Sequence, residues 1–169
     1  MKTIINSLVI FCCFAAQGCT AHSDAPGNQV QTAPAAGTVA IQQKKTYGFD
    51  QDGVYISNQF DGARLNNAVR LAANRYQLTI EPENIPVNSS SYFAFQVWSD
   101  KPKTVELNIK YTAHKHRYIP KISRDGKNWQ PVDGVVASEG DTLITLNVQA
   151  EQQKTWLAAQ EVTSSSDTY

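Results

Sequence analysis

Two histidines one residue apart, His114 and His116, have the spacing of a metal-binding pair. On a β-strand this spacing places both imidazoles on the same face. A two-histidine site of that kind also needs a glutamate four or five residues after the second histidine, where this sequence has Pro120 and Lys121. No glutamate follows either histidine by three residues, as a zinc-peptidase pair would require. Basic residues interleave with the imidazoles and oppose a cation, so we expect no metal here.

Other arrangements of reactive residues are equally incomplete. The carboxylates Asp50 and Asp52, and likewise Glu81 and Glu83, are two positions apart, and a glycosidase could use them only across a cleft. We interpret them as turn and strand-edge residues. The sequence contains no Gly-x-Ser-x-Gly elbow to present a nucleophile and no glycine-rich phosphate loop. The residues alone therefore predict no catalytic site and no cofactor.

Charge excludes one class of partner. The 169 residues include 15 Lys plus Arg and 15 Asp plus Glu, which gives zero net charge. Nucleic-acid recognition requires clustered basic residues, and here they are spread thinly. We expect no nucleic-acid partner.

The N-terminus predicts export and a lipid anchor. Residues 1–18 combine one lysine with a short apolar stretch, as in a signal peptide, and end in the sequence AAQG. The next residue, Cys19, has the position of the lipid-attachment cysteine of a bacterial lipobox. Lipidation there would hold the protein on a membrane of the cell envelope, with ordinary secretion as the alternative. Residues 19–46 are rich in Ala, Gln, Pro and Gly, which is typical of a disordered tether.

The elements that must position any site are β-strands. Six segments between residues 47 and 155 alternate apolar and polar residues and are separated by turn-forming residues; they are GVYIS, RYQLTI, SYFAFQVW, TVELNIKY, RYIPKIS and DTLITLNV. Residues 65–75 could instead form a short helix. The even spacing predicts an all-β fold, an antiparallel β-sandwich of jelly-roll type.

Four segments resemble a known family. They are SNQFDGARLNN, YQLTIEPENIPVNSSSYFAFQVW, HRYIPKISRDGKNW and WLAAQE, in this order between residues 57 and 161. This succession is similar to the N-terminal β-domain of zinc carboxypeptidases in the cytosolic carboxypeptidase-like branch. The residues that match the family blocks are Phe60, Asp61, Gly62, Arg64, Glu83, Asn84, Asn88, Arg117, Tyr118, Pro120, Ser123, Asp125, Gly126 and Trp129.

The resemblance implies a non-catalytic role. Residues 156–169 resemble the linker or the start of the catalytic domain, and no position matches that domain's zinc ligands, substrate arginine or general base. We therefore expect a fragment, a split product or a stand-alone accessory domain without activity, whose partner is a peptidase domain that carries the zinc. The alternative is an independent envelope module that binds glycan or peptide.

The matched residues suggest structural roles or an interface. We expect tight turns at Asp61-Gly62 and Asp125-Gly126, where glycine can adopt positive φ. Arg64 needs acceptors if it is buried, and Glu83 is a candidate partner. The side chains of Asn84 and Asn88 are expected to close the loop between them. The tryptophans are expected in the core, with carbohydrate binding as the alternative.

Overall fold

The structure, a computed structural model, describes residues 41–82 and 90–163. Within these ranges the chain forms strands joined by turns, together with one short 3-10 helix at Glu139–Asp141. The strands are β1 (Thr46–Phe49), β2 (Val54–Ser57), β3 (Asn67–Ala72), β4 (Arg75–Ile80), β5 (Ala94–Ser99), β6 (Lys103–Tyr111), β7 (Lys121–Ser123), β8 (Gln130–Pro131), β9 (Val136–Ala137), β10 (Leu143–Ala150) and β11 (Thr155–Ala158). No helix among the described residues is long and apolar enough to cross a membrane.

The strands form two sheets packed as a sandwich. The first sheet has the order β1-β2-β5-β11-β7-β8 and the second has the order β3-β4-β6-β10-β9. The pairs are antiparallel except β4 with β6, which run parallel. After β4 the chain crosses to the first sheet as β5 and returns as β6, so β4 and β6 point the same way. The predicted all-β sandwich is confirmed, with this one parallel pair as a difference.

Alternating side chains form the core between the sheets. In β4, Tyr76, Leu78 and Ile80 are fully or almost fully buried, whereas the residues between them face outward. Phe95 on β5 and Leu157 on β11 are register partners and bury the first sheet's inner face in the same way. Each such side chain contributes about 1.5–3 kcal/mol by leaving water. The period-two pattern thus follows directly from burial on one face.

Three expectations for individual elements need correction. Residues 67–72 form strand β3 instead of a helix, because they pair with β4 from Asn67 opposite Thr79. Residues 42–45, placed in the tether, hydrogen bond to the turn after β2; for example, Lys45 N donates to Asn58 Oδ1 at 2.7 Å. The sandwich also extends past residue 155, since β11 lies between β5 and β7. The signal peptide and the rest of the tether lie outside the described residues.

A polar cluster joins the β1–β2 turn to the second sheet. The Asp52 carboxylate is 6% exposed and accepts hydrogen bonds from Arg70 Nε at 2.7 Å, Arg70 Nη2 at 3.1 Å and Tyr76 Oη at 2.7 Å. Lys103 Nζ donates to the main-chain carbonyl of Asp52. The bond from Arg70 is the largest cause holding the pKa of the Asp52 carboxyl below its usual range. The spacing of Asp50 and Asp52 indicated only a turn.

Candidate interaction site on the motif loops

The two histidines lie in the loop after β6 instead of on a strand face. Tyr111 Oη and His116 Nδ1 are 2.9 Å apart, and the two rings stack at 5.9 Å. Burial, followed by the nearby charges of Arg117 and Arg64, lowers the pKa of His114. Burial also lowers the pKa of His116. Burial therefore favours the neutral form of both imidazoles, and His116 has a packing role.

The loop that follows β7 is shaped by its own side chains. Asp125 Oδ1 accepts hydrogen bonds from the backbone N–H groups of Lys127 at 2.9 Å and Asn128 at 2.8 Å. Ser123 Oγ donates to the same oxygen at 3.0 Å and accepts from Gly126 N at 2.9 Å. These bonds, with those from Asn128 foremost, lower the pKa of the Asp125 carboxyl. Gly126 has φ +75°, which suits glycine and completes the turn.

The FDGAR segment forms the second motif turn. Ala63 N donates to Phe60 O at 3.3 Å, and Gly62 has φ +76°. Beyond the turn, the backbone of Arg64 exchanges two hydrogen bonds with Ala94 at the start of β5, at 2.7 and 3.1 Å. The turn is therefore fixed to the first sheet at the start of β5.

The side chain of Arg64 points into the protein. It is 3% exposed, and its Nη2 donates to the carbonyl of Glu81 at the end of β4. The expected partner Glu83, together with Asn84 and Asn88, lies outside the described residues, so the proposed ion pair stays a prediction.

Asn58 is an organising residue that sequence reasoning missed. It is fully buried; its Nδ2 donates to Leu65 O at 2.8 Å and to Gln43 O at 2.9 Å, while its Oδ1 accepts from Lys45 N. One amide thus joins the segment before β1 to both ends of the FDGAR turn. A signal existed, because Asn58 lies within the first motif segment, but its bonding partners are not adjacent to it in sequence.

The Arg117–Pro120 segment leads directly into strand β7 of the first sheet. The Arg117 guanidinium lies over the Tyr118 ring at 5.6 Å, and Tyr118 packs against the core. Pro120 is buried, and its carbonyl accepts from Val132 N at 2.8 Å. Between them, Ile119 is 71% exposed. The segment therefore holds a large apolar side chain in water.

These segments line two depressions. The first, which we call the aromatic cleft, has a volume of about 290 Å³ and is lined by Phe60, Asp61, Asp125, Trp129, Trp156 and Val162, among others. The second, which we call the exit groove, has a volume of about 500 Å³ and includes Arg117, Ile119, Lys121, Ala159 and Glu161. The aromatic cleft brings both motif turns together with the residues that follow β11.

The arrangement is suited to binding. Among residues 41–82 and 90–163, no group of three His, Cys, Asp or Glu side chains is placed to hold a metal. Ser123, a hydroxyl near a carboxylate, is buried and bonded to Asp125, and neither imidazole contacts it. The two depressions offer aromatic rings, carboxylates, basic side chains and one exposed isoleucine.

Known proteins share the fold. The sequence matches no family model and no curated protein. The structure is similar to a metallo-carboxypeptidase from Burkholderia cenocepacia, with TM-score 0.54, 15% identity and 68% of this chain covered. It is also similar to a protein assigned as a carboxypeptidase A from Shewanella denitrificans OS-217, with TM-score 0.54, 22% identity and 66% covered. This chain spans 30% of the length of each of those chains. It has the fold of a segment of metallo-carboxypeptidases.

Proposed function

We propose that this chain is the non-catalytic N-terminal β-domain of an exported zinc carboxypeptidase, packing against the peptidase domain and shaping access to it. The observation that carries the proposal is the fold shared with 30% of the length of metallo-carboxypeptidase chains. The four motif segments support the more specific assignment to the N-terminal domain. Two of them, the turns at Gly62 and Gly126, line one cleft of this domain.

The exit groove is the proposed docking surface for the peptidase domain. Ile119 is 71% exposed, and we infer that it is the central apolar contact of this surface. The ion pair between Lys121 Nζ and Glu161 Oε1, at 2.6 Å, gives the groove a polar rim. Residues 159–161 follow the last strand, so a domain joined after them would begin beside the groove.

Zinc does not fit this domain. The described residues contain no suitable ligand set, so zinc and the water it activates belong to the peptidase domain in this proposal. The contribution of the β-domain is to support that domain and to limit which peptides enter. Lipidation at Cys19, which would place the protein on the cell envelope, is part of the same proposal.

An independent binding module for glycan or peptide is the second candidate. It is favoured by the two tryptophans of the aromatic cleft, Trp129 and Trp156, which are partly exposed. Aromatic rings open to solvent are common in sites of both kinds.

The first test is to translate the DNA that follows the codon for Tyr169 in three frames. A His-x-x-Glu segment with a later histidine would identify the peptidase domain. That domain is then produced with this chain, and release of the C-terminal residue from a synthetic peptide is measured. We expect Ile119→Asp to abolish co-purification of the two parts. Val136→Asp is the matched control, because Val136 is 65% exposed and lies on β9 of the other sheet. Equal effects of both variants, or none, would reject the docking surface, and unrelated downstream sequence would favour the binding module.

A further inference from the structure

The aromatic cleft has the size of a site for one side chain. Its volume of about 290 Å³ is at the lower end of the roughly 300–1,000 Å³ typical of ligand pockets. Trp156 on β11 and Trp129 at the end of the motif loop contribute indoles from two elements. Trp129 Nε1 donates to Gly126 O at 3.2 Å, and the position of a Cβ on Gly126 would be 3.7 Å from Trp156 Cε2. The Gly126 carbonyl therefore holds the Trp129 ring by a hydrogen bond, and the Gly126 backbone lies beside the Trp156 ring.

Cations already cover other aromatic rings of this protein. Lys45 Nζ lies 4.5 Å from the centre of the Tyr47 ring, and Lys154 Nζ lies 4.9 Å from the centre of the Trp98 ring. In the described part of the chain, no such cation is positioned over Trp129 or Trp156. The indole face is the most favourable aromatic partner for a cation. The two cleft tryptophans are thus able to accept a cation from another molecule.

Two carboxylates from different loops give the cleft negative charge. Asp61 and Asp125 are both exposed and line its wall together with Lys127, and the Lys44 ammonium interacts electrostatically with Asp61 from outside the cleft. Asp125 Oδ2 accepts a bond from Asn128 Nδ2 at 2.6 Å, which fixes the carboxylate beside the rings. An arginine side chain matches this combination, since its planar guanidinium stacks on indole and its N–H groups bond to carboxylate.

We propose that the aromatic cleft binds an arginine side chain of a polypeptide, held between Trp129 and Trp156 and paired with Asp61. Lys127 lines the same cleft and competes for it with its own ammonium group. This proposed arginine site is independent of the proposed accessory function. The docking residue of that function, Ile119, lies in the exit groove and not in the aromatic cleft.

The test is an NMR titration of the ¹⁵N-labelled protein with N-acetyl-arginine amide, which reports the indole N–H of each of the three tryptophans. We expect saturable shifts for Trp129 and Trp156 and none for Trp98. N-acetyl-citrulline amide, which has the same shape without the charge, should bind at least several-fold more weakly. A response to citrulline equal to that to arginine, a shift centred on Trp98, or no saturable shift would overturn the proposal.

Variants separate recognition from stability. Asp61→Asn is expected to weaken binding about threefold, the typical effect of one exposed charge pair. Asp100→Asn, an exposed aspartate near Tyr55 and outside the cleft, is the matched control and should have no effect. Lys127→Gln should tighten binding because it removes the competing cation. Loss of binding in Asp100→Asn, or weaker binding in Lys127→Gln, would count against the proposed site.

Discussion

Asp52 provides the sharpest test of how the two sheets are held together. Replacing it with asparagine keeps its shape but removes the charge, and places an N–H group where two donors, Arg70 and Tyr76, now point. A hydrogen bond to a charged, buried group contributes about 1.5–3 kcal/mol. Part of the bonding survives through the amide oxygen, so we expect Asp52→Asn to lower the free energy of unfolding by about 3 kcal/mol. With a urea m-value of about 2 kcal/mol/M, the midpoint falls by about 1.5 M.

The control for this variant is Asp50→Asn in the same turn. Asp50 is exposed, and its replacement should change stability by no more than about 0.5 kcal/mol. The pH dependence gives a second criterion. Because the pKa of Asp52 is lowered in the folded state, its stabilising effect is complete above the unfolded value of about 3.9 and is lost as pH falls below it. The difference between wild type and Asp52→Asn must therefore shrink at acidic pH. If Asp52→Asn lowers the free energy of unfolding by less than about 1 kcal/mol at pH 7, or by an amount that does not depend on pH, the Asp52 cluster does not hold the two sheets together.

Three further predictions concern the site and its surroundings. Gly62→Ala should destabilise the protein more than Gly134→Ala. Both glycines have positive φ, but only at Gly62 would the added Cβ approach another side chain, Val162 Cγ1, to 3.1 Å. Urea denaturation of the two variants compares their stabilities. Asn58→Ala should cost about 2–3 kcal/mol and speed hydrogen exchange at the residues before β1, since it leaves the buried carbonyl of Leu65 and the partly buried carbonyl of Gln43 unbonded. An NMR titration should place the pKa of His116 below about 6.5, and a midpoint above that value would contradict its burial.

The fold could be predicted from the sequence where an element is determined by neighbouring residues in the chain. The alternation in Arg75–Ile80 gave strand β4 with its observed bounds, because period-two burial leaves a direct record in the sequence. Strand β7 is shorter than predicted and begins at Lys121, after Pro120, which lacks the N–H group a ladder needs. The family resemblance assigns residues 156–169 to a linker or to the start of the catalytic domain, whereas Thr155–Ala158 form strand β11. Its place depends on pairing with β5 and β7, which sequence alone does not show.

The candidate site likewise has a part that could be predicted from local sequence and a part that could not. The turn at Asp125-Gly126 can be derived from the sequence, since the aspartate bonds to N–H groups two and three residues ahead. The bonds of Asp52 to Arg70 and of Asn58 to Lys45 join residues more than ten positions apart, so no local pattern reveals them. The aromatic cleft is missed for the same reason, because Phe60 and Trp129 meet only when the sheets have formed.

The motif residues divide into those that shape the loops and those, such as Asp61 and Trp129, that line the proposed binding site. Ser123 and the Asp125 carboxylate use their hydrogen-bonding groups within the loop, and Gly126 supplies its φ angle. Because these groups are engaged internally, they specify the shape of the surface more than its affinity. In the proposed sites, recognition then depends on exposed side chains that the turns hold in place, such as Ile119 and Asp61. Chains that share these turns can therefore differ in the surface that they expose. Substitutions at the exposed positions should change binding while leaving stability unaltered.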